Sequence, residues 1–145
     1  MAWEVILGFP LDKVISICKI GRMKIFDNEK DWGGKVNFVD ENNVVLGYDM
    51  YQSCCENFGW FISDKIESEI LQQMDSGDAG DLSSFVFDTS FYEEFDIEYD
   101  GGIVVFRIFN ETSEKFIHLF NVHNGYYGHG FDFKVGEQTL QEGWI

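Results

Sequence analysis

Apolar and polar positions change over at short intervals along most of this chain, and the dominant pattern is that of short β-strands. Glu4 to Leu7, Lys13 to Ile20, Met23 to Phe26, Lys35 to Val39 and Val44 to Tyr51 are rich in branched or aromatic residues and are separated by polar clusters. Asp27-Asn28-Glu29-Lys30 and Asp40-Glu41-Asn42-Asn43 read as turns, and Trp32-Gly33-Gly34 gives backbone freedom ahead of the next strand. The strongest hairpin signal lies between Phe95 and Asn110, where Asp100-Gly101 suits a tight turn with positive φ. Asn110-Glu111-Thr112-Ser113-Glu114 turns the chain again, so Lys115 to Val122 should run back beside Ile103 to Phe109. Phe131-Asp132-Phe133-Lys134-Val135 alternates apolar and charged residues, as a strand with one buried face does.

One segment reads differently. Asp64-Lys65-Ile66-Glu67 has the spacing of a capping box, and Ile66, Ile70 and Met74 share one helical face with Leu71 beside them. Asp75-Ser76-Gly77-Asp78-Ala79-Gly80 would end such a helix. The expected fold is therefore α+β: a mostly antiparallel sheet, curved or closing into a partial barrel, with one short helix against it.

Composition sets bounds on that picture. With 145 residues, 45% of them hydrophobic, including fifteen Phe, six Tyr and four Trp, residues 1–145 are expected to form a single acidic, β-rich domain. Met1-Ala2-Trp3-Glu4-Val5 shows neither a basic leader nor a long apolar core, and no window approaches a membrane span, so a cytoplasmic setting is expected. Three cysteines, Cys18, Cys54 and Cys55, fit reduced thiols better than a disulfide framework. Asn110-Glu111-Thr112 matches a glycosylation sequon but in that setting reads as an ordinary turn.

Charge changes the picture most. Twenty-six acids against ten Lys and Arg give a net −16. Direct nucleic-acid binding by phosphate neutralisation is not expected, and a field of this sign steers cationic partners inward. Residues 64 to 100 hold twelve of the acids and one base, Lys65. Within that stretch Glu94, Asp96 and Glu98 should share one side of a strand, opposite Phe95, Ile97 and Tyr99. Asp88, Glu93, Glu94, Asp96, Glu98 and Asp100 are the candidate partner-binding residues. The same acids on an edge strand would also block edge-to-edge aggregation.

The densest polar constellation is His123-Asn124-Gly125-Tyr126-Tyr127-Gly128-His129-Gly130, whose glycines also suit a tight structural turn. Cys54-Cys55-Glu56 could meet His123 and His129 in space and offer zinc a set of N and S ligands. Adjacent cysteines on a strand point to opposite faces, so a shared ion would need a bend there. A thiol nucleophile beside either histidine, oriented by Asn124 or Asp132, and a histidine acid–base pair are the enzymatic options. His118, between Phe116 and Phe120, reads as a packed residue with hydrogen-bonded nitrogens. Neither a phosphate loop nor a nucleophile elbow is present.

Tyr51-Gln52-Ser53-Cys54-Cys55-Glu56 and the run from His118 to Phe131, with its His-Asn-Gly-Tyr-Tyr-x-His-Gly-Phe core, resemble a small uncharacterised domain family of bacterial and phage genomes. The family pattern often carries Cys before that core, where this chain has Val122. The resemblance implies a microbial or viral setting, in which small acidic domains serve as inhibitors or immunity proteins. The functional expectation is accordingly a non-enzymatic acidic inhibitor without a cofactor, neutralising a cationic protein such as a nuclease toxin or defence nuclease. The alternative is a zinc-binding or thiol- and histidine-dependent enzyme centred on Cys54, Cys55, His123 and His129.

Overall fold

The computed structural model describes residues 23–27, 34–50, 57–68, 80–97, 101–122 and 127–145. They build two antiparallel sheets. The first joins β1 (Lys24–Asp27), β2 (Lys35–Val39), β3 (Val44–Asp49), β9 (Gly130–Val135) and β10 (Gln138–Trp144), in that order. The second runs from β4 (Asn57–Ser63) through β8 (Glu114–Val122) to β7 (Gly101–Phe109). The far edge of β7 is shared: β5 (Val86–Phe87) pairs with its Phe109 end and β6 (Glu93–Ile97) with its Gly101 end. Among the described residues no helix is long and apolar enough to cross a membrane.

Period-2 alternation explains how the sheets meet. Val36, Phe38, Leu46, Tyr48, Phe131 and Phe133 of the first sheet face Trp60, Val104, Phe106, Ile108, Ile117 and Leu119 of the second in one buried cluster. Aromatic rings lock across the gap, Phe38 edge-on to Trp60 with centroids 5.0 Å apart and Phe106 on Phe133 at 4.8 Å. Polar links cross between the sheets as well. The Tyr48 hydroxyl donates to the Phe120 carbonyl at 2.8 Å. The Asp40 carboxylate, fully buried after β2, accepts from the main-chain N–H groups of Asn42 (3.0 Å), Val44 (2.9 Å) and Phe87 (2.8 Å), so it joins the β2–β3 turn to β5.

The outer face of the second sheet is also apolar, with Phe61, Ile103, Val105, Phe116 and Phe120 buried on it and Ile66, Phe91, Phe95 and Ile97 packed against them. This is why β4 and β7 read as continuous apolar runs, as strands buried on both faces do.

The expected α+β class is corrected here: the described residues contain two sheets and no helix. At Asp64 to Ser68, where the capping box should open one, the chain is irregular. The N–H of Glu67, which a capping Asp64 would bind, instead donates to His118 Nε2 at 2.9 Å. Asp64 turns outward to within 4.0 Å of the Lys115 ammonium, and Ser63 Oγ accepts from the N–H of Lys65 at 3.3 Å. A tertiary acceptor has thus displaced the local cap. Ile70, Leu71 and Met74 lie outside the described residues, as do the expected strands at Glu4 to Leu7 and Lys13 to Ile20.

Candidate functional site

Strand β6 carries acids on both of its sides, Glu93 on one and Glu94 and Asp96 on the other. Its antiparallel register sets Glu93 opposite Val105, Glu94 opposite Val104, Phe95 opposite Ile103 and Asp96 opposite Gly102. Phe95 and Ile97 therefore join the outer apolar face, while Glu94 and Asp96 point to the side that Val104 shares, toward the first sheet. All three acids, Glu93, Glu94 and Asp96, are exposed, and among the described residues none is in an ion pair. Among those residues β6 pairs with β7 alone and is an edge strand of the described sheet. Glu94 accepts from the Tyr92 hydroxyl at 3.0 Å. Burial, and then that carboxylate, hold the Tyr92 phenol well above its usual range, so it stays a donor.

Asp88 is separate from this group. Its carboxylate takes the Ser90 hydroxyl at 2.7 Å and the Arg107 guanidinium at 3.1 Å, and these bonds, Ser90 first, hold its pKa below the ordinary value. Arg107 also binds Glu114 at 2.7 Å and lies over the Phe109 ring. Asp88 is thus part of a structural ion-pair network. Glu98 and Asp100 lie outside the described residues.

Of the histidine and cysteine group, only His129 is described; Cys54, Cys55 and His123 are not. His129 is fully buried, its ring stacked on Phe58 with centroids 3.9 Å apart and its Nδ1 2.9 Å from the Asp49 carbonyl. Its main chain pairs with Ile145 in both directions. These contacts are those of a packed ring. Among the described residues no group of three or more His, Cys, Asp or Glu side chains could hold a metal ion. His118 matches its expectation: fully buried, stacked on Phe61 at 4.3 Å, with Nδ1 3.1 Å from the Phe116 carbonyl.

A second feature went unread in the sequence. On the outer face of the first sheet, Lys35, Asp49, Asp132, Glu142 and Trp144 line an open cleft of about 570 Å³. Strand pairing puts Asp132 directly opposite Glu142 on one row and Gly130 opposite Trp144 on the next. Asp132 is held by Lys35 at 3.3 Å and Lys134 at 3.2 Å. Gly47 makes the room: a Cβ there would stand 2.5 Å from Asp132 Oδ1 and 2.6 Å from the Lys35 stem. The alternation through Phe131 and Phe133 already placed Asp132 and Lys134 on an outer face. What hid the cleft was β10, whose polar sequence gave no strand signal.

Comparison with known proteins finds no family model that matches the chain and neither a curated protein nor a solved structure similar to it.

Proposed function

We propose that this chain is a non-enzymatic inhibitor or immunity-type protein that binds and neutralises a cationic protein partner, such as a nuclease toxin or defence nuclease, through the acidic edge of β6. The observation that carries the reading is the exposure of Glu93, Glu94 and Asp96 on an edge strand without compensating cations among the described residues. The net charge of −16 gives the same partner a long-range attraction, which raises association rate and disfavours anionic competitors.

Affinity capture from the native lysate, followed by stopped-flow association with the purified captured protein, tests it. The association rate should fall roughly tenfold or more between low and high salt. The Glu93→Gln, Glu94→Gln, Asp96→Asn variant should associate more slowly at low salt and with a shallower salt slope, its dissociation rate changing less. Association that ignores both salt and these substitutions would show that the acids serve only to guard the edge from aggregation.

A further inference from the structure

Trp144 is the one large apolar side chain that stands open to solvent among the described residues, at 72% exposure. Its placement is not loose. A Cβ built on Gly130, its cross-strand partner, would lie 3.4, 3.4 and 3.5 Å from three consecutive atoms of the indole six-membered ring. A point equidistant from three such atoms sits over the ring centre, so one face of the indole covers the Gly130 backbone. The opposite face is left to solvent. Beside it are Glu142, exposed and in no ion pair among the described residues, and Asp132, with side-chain exposure of 22%. Like charges directly opposite on neighbouring strands disfavour the pairing, and Lys35 and Lys134 relieve Asp132 alone.

The cleft also lies next to the β6 face. Ile145, which follows Trp144, packs over Gly102, where a Cβ would stand 3.2 Å from Ile145 Cγ2. Gly102 is the register partner of Asp96. The edge of the first sheet at β10 therefore neighbours the edge of the second at β6, and one partner can span both.

We propose that this cleft is the anchor of the partner interface and takes one cationic side chain, arginine or lysine, whose charged group lies on the open face of Trp144 beside Glu142 and Asp132. An indole face attracts a cation through its quadrupole, more strongly when carboxylates flank it and the site is partly desolvated. Aromatic residues at the centre of a charged interface carry a large share of binding energy. Asp132 is shared by Lys35 and Lys134, so the carboxylate beside the indole in no ion pair among the described residues is that of Glu142, and the net −16 of the molecule adds a field of the same sign. A neutral ligand such as a sugar would draw nothing from that field.

The inference rests on the reading of the chain as a binder of a cationic protein, and the test keeps the two apart. The indole Nε1–H signal of Trp144, identified in the ¹H–¹⁵N spectrum by its loss in Trp144→Phe, is followed during titration with a blocked Gly-Arg-Gly peptide. The same peptide with citrulline, which keeps the shape of arginine without its charge, and a neutral disaccharide serve as controls. The arginine peptide should move the signal saturably and the controls should not. Glu142→Gln should weaken the peptide roughly two- to fivefold. The variant lacking the β6 acids should still bind the peptide at Trp144. A signal moved equally by citrulline, moved by the disaccharide alone, or unmoved by any of the three overturns the proposal. With the captured protein partner, binding that survives neutralising β6 but not Trp144→Ala upholds the cleft and removes the β6 reading; the opposite result does the reverse.

Discussion

At His118 the buried imidazole is a hydrogen-bond acceptor by necessity. Its Nε2 receives the N–H of Glu67, so the ring proton sits on Nδ1 and is donated to the Phe116 carbonyl. Protonation would set two donors against each other at Nε2. Burial moves the His118 pKa down from 6.5 to about 4, against the upward pull of main-chain carbonyls at Phe116 and Phe61. The unfolded chain thus takes a proton between pH 6.5 and about 4 that the folded chain refuses. Above 6.5 the residue contributes no pH dependence. As the pH falls through that window stability falls, by about 3 kcal/mol in all, and the loss levels off below pH 4. Urea unfolding of wild type and His118→Gln at pH 7 and pH 4.5 measures the effect: the substitution should flatten the pH dependence, and parallel profiles would show that His118 does not set it. The packed state of His118 was legible from its place between Phe116 and Phe120. Its partner was not, because Glu67 lies 51 residues away and no local pattern marks a main-chain N–H as an orphan.

Elements were legible where one face is buried and obscure where neither rule of alternation applies. Strands β2, β3 and β9 follow their apolar periodicity closely, while β7 and β8, apolar on both faces, are marked by the turn signals at Asp100-Gly101 and Asn110 to Glu114. In β4, Asn57-Phe58-Gly59-Trp60-Phe61-Ile62-Ser63, both faces are apolar because it packs on two clusters, so the alternation is lost. In β10 a register shift between Thr139 and Gln141 breaks the alternation, and only Leu140, Gly143 and Ile145 near it are even half-covered. The helical spacing after Asp64 was a true local pattern overridden by a tertiary bond. Asp40 is the clearest case of an element junction that a sequence conceals. It sits in an evident turn cluster, yet its role is to hold β5, 47 positions away. Burial raises its pKa while the three N–H donors oppose that shift, so the site balances desolvation against hydrogen bonding. Asp40→Ala leaves three donors without an acceptor and should cost about 3 kcal/mol in urea unfolding, with Asp40→Asn intermediate because an amide oxygen still serves two of them. A loss below about 0.5 kcal/mol would mean that water replaces the carboxylate.

For the whole molecule, ten cations cannot neutralise twenty-six acids, so sixteen negative charges remain uncompensated whatever the pairing. Among the described residues the pairs are Arg107 with Asp88 and Glu114, Asp132 with Lys35 and Lys134, Lys65 with Glu67, and Lys115 with Asp64. Salt acts on both populations with opposite sign. It screens the attractive pairs, each worth little at a surface, and it screens the repulsion summed over the uncompensated acids. Because the second group is larger, added sodium chloride should raise the thermal midpoint, most steeply below ~0.1 M, where the screening length shrinks toward 10 Å. The Glu93→Gln, Glu94→Gln, Asp96→Asn variant should start from a higher midpoint at low salt and gain less from salt, because three of the repelling charges on one edge are gone. A midpoint that falls with salt would mean that the few ion pairs outweigh the field. It would also weaken the case for long-range steering of a cationic partner, since both effects draw on the same uncompensated charge. Stability and recognition are thus tied at this scale: the charge proposed to attract a basic protein is held against its own repulsion, and a protein that neutralises it should stabilise the fold by mass action, with the relief of that repulsion contained in its Kd.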